Sequence, residues 1–567
     1  MRRSPLFWLL TMTASSNSLI ARWRQSTLAP FGHKVFAVFW WASLVSSLGS
    51  LIQTVGASWL MATIAPSPDQ VALVQTAGTL PFFFLSLIAG AYADTHDRRW
   101  VMILSQLLML LASISLAAFA ILGWLTPIWL LAFTFLIGCG TAAFAPAWQA
   151  SIADQVPRAQ IPAAVMANAV GFNLARSVGP AIGGVIVASV GAAAAFVINA
   201  LSYIGMLNAL LWWRAPKSEN ALPPEPLFGA IAAGIRYVRL SPHLTAILIR
   251  AVLFTVPISA VPALMPVVAR DLLAGGAPTY GILLGGFGIG AMMGALSSSA
   301  LRSRFSSDAL LRWICAVATV AMIIIAQSHN AIVTLLAHVL AGSVWTLGLA
   351  NLNIAMQLSS PRWVTGRTLA LYQTFAFAGL ALGSWLWGHL AAAHGLREIL
   401  TVAGISSLST FLVARWLPVS IARMGSLDPQ TVPIVDPPAV ELDPASGPIV
   451  IEIEYRVAEH NARQFVAVAH ELGRRRRRDG AYRWSLCQSL DDPLVWTERF
   501  ESPTWTDYQR RLTRPTLADR EVREQLTALI EGGRGKARRY IERPAGAMPV
   551  GGPASRDEPL DDTVSHG

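Results

Sequence analysis

Gly90, Asp94 and Arg98 recur at four-residue steps in Gly90-Ala91-Tyr92-Ala93-Asp94-Thr95-His96-Asp97-Arg98-Arg99. That spacing puts a bare backbone and a carboxylate on one helical face. A second helix can then approach closely enough for its N-terminal dipole to meet the acid. The chemistry on offer is a contact between helices that can form and break. Gly179-Pro180-Ala181-Ile182-Gly183-Gly184 offers a second moving part. Proline removes a backbone hydrogen bond and kinks the helix, while the flanking glycines permit sliding contact with a neighbour.

Arg176 is a single charge inside an apolar run. Charge at such depth is costly and faces a bundle interior or a watery cavity. It reads as an anion-binding or gating residue, or as an arginine reaching the interface or the carbonyls of a kinked helix. Arg250 has the same two readings. Ser43, Ser46, Ser47, Ser50, Gln53 and Thr54 fall at steps of three and four, which places them on one face that lines a cavity or packs on another helix. Ser343, Thr346, Asn353 and Gln357 form a similar stripe, with His338 upstream as a hydrogen-bonded structural residue or a proton carrier. No Asp or Glu lies deep in a hydrophobic run.

These groups are set in long apolar segments. The chain is 54% hydrophobic and only 13% charged, with a mean hydropathy of +0.50, whereas soluble domains carry about a quarter charged residues. The sequence therefore predicts an all-α polytopic membrane protein. Expected spans are 35–61, 71–92, 100–122, 127–149, 163–188 and 192–213, then 244–269, 279–300, 309–327, 331–357, 367–392 and 396–417. Each approaches the ~20 residues a helix needs to cross a bilayer. Basic residues fill alternate loops: Arg98 with Arg99, Arg158, Arg214 with Lys217, Arg302 with Arg304, and Arg362 with Arg367. Both termini are accordingly expected in the cytoplasm. The same asymmetry explains the net charge of +11 without nucleic acid. Three separated cysteines (Cys139, Cys315, Cys487) give no disulfide framework or metal cluster, and no cofactor is expected.

The Gly-x-x-x-Asp-x-x-x-Arg-Arg stretch resembles the loop motif of the major facilitator superfamily, with Thr95 where a basic residue is usual and Asp97 where a second glycine is usual. The Gly-Pro-x-x-Gly-Gly core resembles the fifth-span motif of its antiporters. With residues 146–158 and 168–184, it resembles the enterobactin-exporter-like, transmembrane secretion effector branch. The resemblance implies two six-helix bundles, 31–213 and 244–417, joined by a middle loop, 214–243, with an amphipathic segment. It implies export of an amphipathic cargo (a siderophore, a macrolide-like drug or another secondary metabolite) across the inner cell membrane. Alternating access would use Gly90, Asp94, Arg98 and Arg99 as a clasp. It also implies proton coupling, for which Asp94, Asp154 and His338 are the available groups. A faded second copy surrounds Gly290, Gly294, Arg302 and Arg304, with Ser298 at the acid position.

Residues 1–30 read as a disordered extension, 418–447 as a linker and 546–567 as a disordered tail. Between them, 448–545 alternates as β-α-β-β-α-β with an extra helix, a ferredoxin-like plan. With Trp496-Thr497-Glu498-Arg499-Phe500-Glu501 before Trp505 and Tyr508, it resembles the small domains of antibiotic-biosynthesis monooxygenases. Those often place histidine in the helix after the third strand, where this chain has Tyr508, Arg510 and Arg511, so a dimerising or regulatory module is expected. The five-arginine run 474–478 suits a helix C-terminus, or an anionic membrane surface. A second functional reading is a membrane-anchored enzyme or sensor that acts through this domain.

Overall fold

The computed structural model describes residues 29–543 apart from 66, 96, 158–159, 215–226, 362, 420–437, 439, 441 and 534. Most of the expected N-terminal extension, much of the middle loop and of the linker, and the tail from 544 therefore lie outside the described residues. The chain divides into two compact units. The first comprises the described residues of 1–231, with Ala246–Ala355 and Leu369–Ser420. The second comprises Ala232–Thr245, Met356–Thr368 and the described residues of Ile421–Gly567.

The first unit is helical. Six helices build its N-terminal half: α1 (Lys34–Ile64), α2 (Pro68–Thr95), α3 (Arg98–Ile121), α4 (Pro127–Gln155), α5 (Ile161–Ser189) and α6 (Ala192–Trp212). After the amphipathic α7 (Leu227–Arg239), the seventh expected span is α8 (Pro242–Ile258), α9 (Ala260–Val267) and a π turn, Val268–Leu272. Pro257, Pro262 and Pro266 withhold backbone donors there, which accounts for the break at Ser259. The rest are α10 (Ala277–Arg304), α11 (Ser307–Gln327), α12 (Ala331–Leu358), α13 (Thr365–His394) and a twelfth span divided into α14 (Leu396–Ser406) and α15 (Ser409–Ala414). Among the described residues, eleven spans are long and apolar enough to cross a membrane. The 28-residue α2 stands outside that set, at the expected place of the second span.

Gly191 precedes α6 and Gly395 precedes α14, each at φ +98°. A side chain is strained in that conformation, so both turns favour glycine. The same turn between the fifth and sixth helices of each half gives the internal repeat a backbone signature clearer than the faded loop motif. Inside the N-terminal half, Phe39, Met102, Met206 and Trp213 pack together near one end, while Met61, Leu116, Leu130 and Phe196 pack near the other. Large apolar side chains such as Leu104, Leu111, Trp313 and Leu336 stay exposed. In water they would be a liability, but against hydrocarbon they are the required surface.

The second unit contains a four-stranded antiparallel sheet in the order β2-β3-β1-β4: β1 (Ile449–Arg456), β2 (Tyr482–Gln488), β3 (Val495–Ser502) and β4 (Lys536–Ile541). Strand β1 pairs with β3 from Ile449 opposite Ser502 to Arg456 opposite Val495. Helices α16 (Ala462–Arg478), α17 (Trp505–Leu512) and α18 (Leu517–Thr527) complete it. Phe465, Leu472, Val522 and Leu526 pack on Tyr455, and Ile449, Ile451, Phe500 and Tyr508 form the adjoining core.

The expected boundary at 448 is narrower than this compact unit, which also takes in the end of α7 and the turn between α12 and α13. Tyr237 and Trp363 meet edge to face at 5.4 Å. Arg514 lies 4.3 Å over Trp363 and Arg478 lies 4.9 Å over Tyr237. The arginine run is engaged within the second unit as well. Arg475 and Arg478 both pair with Asp519, Arg474 pairs with Glu471, Arg476 with Glu498, and Arg477 stacks on Trp484.

Candidate functional site at the seam of the two halves

The Gly-Pro-x-x-Gly-Gly segment lies in α5, and its glycines face two ways. A Cβ on Gly179 would meet Leu51 at 3.1 Å, and one on Gly183 would meet the Ile52 Cα at 3.1 Å. Both therefore seat α5 on α1 within its own half. A Cβ on Gly184 would lie 2.9 Å from the Gly281 Cα, and one on Gly281 would lie 2.9 Å from the Pro180 carbonyl oxygen. Those two glycines bring α5 against α10 of the other half. Any side chain at either position drives the halves apart.

Further contacts cross the seam toward the same end. Trp59 stacks near Tyr280, with ring centroids 6.4 Å apart. Arg270 donates from Nη1 to the Ala62 carbonyl. Thr76 donates to the Ala381 carbonyl at 3.2 Å, and Phe82 stacks on Phe377 at 4.3 Å. These residues lie away from the ends of α3 and α4 that carry Arg98 and Asp154.

At Arg176 the close approach of α5 and α10 continues, since a Cβ on Gly288 would lie 2.8 Å from the Ser177 Cα. Its guanidinium lies 5.5 Å from the Phe287 ring of α10, which meets Trp345 of α12 edge to face at 5.7 Å. The side chain is half-buried, and no carboxylate among the described residues forms an ion pair with it. A guanidinium against aromatic faces can take an anionic or polar group without first releasing a salt bridge. Phe287 gave no warning in the sequence, because a phenylalanine in a span is the expected residue.

Arg250 is differently employed. It is fully buried, with Nη2 3.3 Å from Asp308 Oδ1 and Nη1 donating to the Leu417 carbonyl at 3.2 Å. Arg312 holds the other Asp308 oxygen at 3.2 Å. Arg250 thus ties α8 to α11 and to the end of the twelfth span. Of the serine stripe, Gln53 and Ser50 are drawn into packing. Gln53 Oε1 accepts from Ser113 at 2.9 Å and from Asn199 at 2.6 Å. Ser50 reaches Asn199 at 3.4 Å and Tyr203 at 3.3 Å. The structure thus takes the packing alternative at these two positions. Ser43 and Ser47 are half-buried, while Thr54 is exposed and donates to its own Ser50 carbonyl at 2.8 Å.

In α12, Ser343 donates to the Gly290 carbonyl at 2.9 Å and seals α12 against α10. Thr346 and Asn353 are half-buried, and the Thr346 hydroxyl has no partner among the described residues. His338 is fully buried, with Nδ1 2.8 Å from the Thr334 carbonyl and no partner for Nε2 among the described residues.

At the opposite end, Arg98 Nη1 lies 3.3 Å from Asp154 Oδ2, joining the start of α3 to the end of α4. Arg99 donates to the Leu210 carbonyl at 2.9 Å and the Leu211 carbonyl at 2.8 Å. That caps the negative end of the α6 dipole. Asp97 accepts from the Arg99 backbone N–H at 2.9 Å and caps the N-terminus of α3, a role glycine could not fill by side chain. Gly90 and Asp94 belong to the last turns of α2, but their side-chain positions lie outside the described residues.

The chain matches the profile of the family described as "Transmembrane secretion effector" over residues 25–545. It is similar to the multidrug efflux pump Tap of Mycolicibacterium fortuitum, 28% identical over 68% of this chain and 95% of the relative. It is also similar to the staphyloferrin A transporter of Staphylococcus aureus, 29% identical over 46% of this chain and 65% of the relative. Among solved structures, it resembles the nucleoside transporter NupG with a TM-score of 0.53 at 12% identity, over 68% of this chain and 99% of that one. A bacterial homologue of the lysosomal transporter Spinster, inward-facing and occupied, gives 0.55 at 14% identity, over 68% of this chain and 97% of that one.

Proposed function

Because the chain belongs to the transmembrane secretion effector family, a family of membrane transporters and not of enzymes, we propose that it exports amphipathic small molecules by alternating access, driven by protons. The observation that carries this reading is the α5–α10 seam. There Gly184 and Gly281 bring the two halves into close contact, and Arg176 lies against Phe287 without a carboxylate partner among the described residues. The basic loops orient the chain in the inner membrane with both termini in the cytoplasm. The closed seam then faces outward, and cargo enters from the cytoplasm. The named activities of Tap and of the staphyloferrin A transporter support a drug-like or siderophore-like cargo. Arg176 favours cargo with an anionic or polar group. We read Gly90, Asp94 and Arg98 as the clasp of the inner end and Asp94, Asp154 or His338 as carriers of the coupled proton.

The C-terminal sheet is read as a ferredoxin-like, monooxygenase-related module that dimerises or regulates, supported by its strand order β2-β3-β1-β4. An accumulation assay tests the function. Dyes, macrolides and siderophores are followed in cells stripped of their own exporters, with and without a protonophore. Energy-dependent efflux that Asp94→Asn abolishes supports the reading. Correctly inserted protein that moves no member of the panel refutes it.

A further inference from the structure

The second unit contains a cavity of about 350 Å³ between the sheet and helices α16, α17 and α18. That volume lies at the small end of ligand pockets. Its body is apolar, formed by Ile451, Ile453, Leu472, Leu526 and Ile530. Three guanidiniums line it from three helices: Arg476 of α16, Arg511 of α17 and Arg523 of α18. Three cations around one apolar cavity are not explained by the fold, because among the described residues only Arg476 pairs with a carboxylate.

That carboxylate is Glu498, which is buried. It accepts from Tyr455 at 2.8 Å and from Trp484 at 2.7 Å, and lies 2.9 Å from Arg476 Nε. Arg476 also lies 4.4 Å over the Phe500 ring. Its charge is thus balanced inside the domain. Arg511 shares the Phe500 ring at 4.5 Å, lies 5.4 Å from the Tyr508 ring, and donates from Nε to Ser502 at 3.3 Å. No carboxylate among the described residues pairs with Arg511, and burial together with neighbouring Arg476 pushes it down to about 9. Arg523, exposed at the cavity's edge, also has no carboxylate partner among the described residues. Burying a guanidinium without a counter-ion is costly, and a forked donor beside an apolar cavity suits a carboxylate or phosphate.

We propose that this cavity binds a small organic anion with a compact apolar body, its anionic group held by Arg511 and Arg523 and its body packed on Ile451, Leu472 and Leu526. The site belongs wholly to the second unit, whereas Arg176 and the helical seam belong to the first. It makes the C-terminal module a binding domain. The helix that brings Arg476 to the cavity carries Arg478 onto Tyr237 two residues later, so an occupied cavity is one short helical step from the end of α7.

Equilibrium dialysis of the full chain in lipid nanodiscs tests the proposal. The probes are 1-naphthoate and decanoate, a flat aromatic acid and an acyl chain, with 1-naphthamide and decanamide as uncharged controls. At least one acid is expected to bind saturably and at least tenfold more tightly than its amide. Arg511→Gln is expected to weaken that binding at least tenfold, and Arg511→Lys less. Arg523→Gln, at an exposed position that does not threaten folding, is expected to weaken it severalfold. Arg520→Gln, on the same helix and outside the cavity, should leave it unchanged. The ranking of the two acids tells an aromatic source from a fatty-acyl one. Three outcomes overturn the proposal: equal binding of acid and amide, binding kept in both Arg511→Gln and Arg523→Gln, or no saturable binding of either acid.

Discussion

Two arginines that look alike in the sequence separate once their neighbours are known. Arg176 meets an aromatic ring of the opposite half, whereas Arg250 is locked to Asp308 and to a carbonyl of the twelfth span. Removing one member of a buried pair strands the other and costs about 3 kcal/mol or more. Arg250→Ala should therefore lower the melting temperature of the purified protein, while Arg176→Ala leaves it nearly unchanged; equal melting of both would remove the distinction. Asp519 offers a test outside the membrane. Burial alone would raise its pKa, but Arg478, the Thr516 N–H and hydroxyl, and Arg475 outweigh that and hold it below the ordinary carboxylate value. A depressed carboxylate contributes stability that is fully present above its unfolded pKa, near 4, and lost as pH falls through its lower folded value. Asp519→Asn should remove that part of the acid sensitivity of the second unit and destabilise it by about 2 kcal/mol at pH 7. Proteolysis of α16 and α18 as a function of pH reads both effects. An unchanged acid profile in the variant would contradict the assignment.

At the scale of elements, the glycines of α5 set what can move. Gly179 and Gly183 fix α5 to α1, while Gly184 meets Gly281 across the seam. Gly184→Leu should leave insertion and folding of the N-terminal half intact yet hold the seam apart. Trp59→Cys with Tyr280→Cys, in a chain with Cys139, Cys315 and Cys487 replaced by serine, reads this directly. A short bismaleimide should link the pair in the Gly184 parent and much less in Gly184→Leu; equal linking would deny the glycines that role. Most helices were legible in the sequence, because length and hydropathy alone set a span. So was β1, from the alternation in Ile449–Arg456. Legibility fails where a residue's meaning depends on what crosses it. Periodicity put Gln53 on a polar face but could not say that Asn199 and Ser113, far along the chain, would fill that face. The arginine run read as a loose cationic helix end because Asp519, Glu498 and Tyr237 come from distant segments. Asp97 looked like a defect in a motif and is the N-cap of α3.

For the whole molecule, the chain divides into a helical unit and a second unit built on a small sheet. Tap, 28% identical, aligns over 68% of the chain, whereas the family profile continues to residue 545. The α5–α10 seam joins the two halves, whereas the half-buried Arg98–Asp154 pair joins α3 to α4 within the N-terminal half. The most direct measurement uses purified protein in proteoliposomes under an imposed pH gradient. It follows a cargo found in the cell-based panel and compares wild type with Arg176→Ala. Gradient-dependent transport in wild type, reduced at least tenfold in Arg176→Ala with folding unchanged, is the predicted result. No gradient-dependent transport, or equal transport by both proteins, would contradict the account.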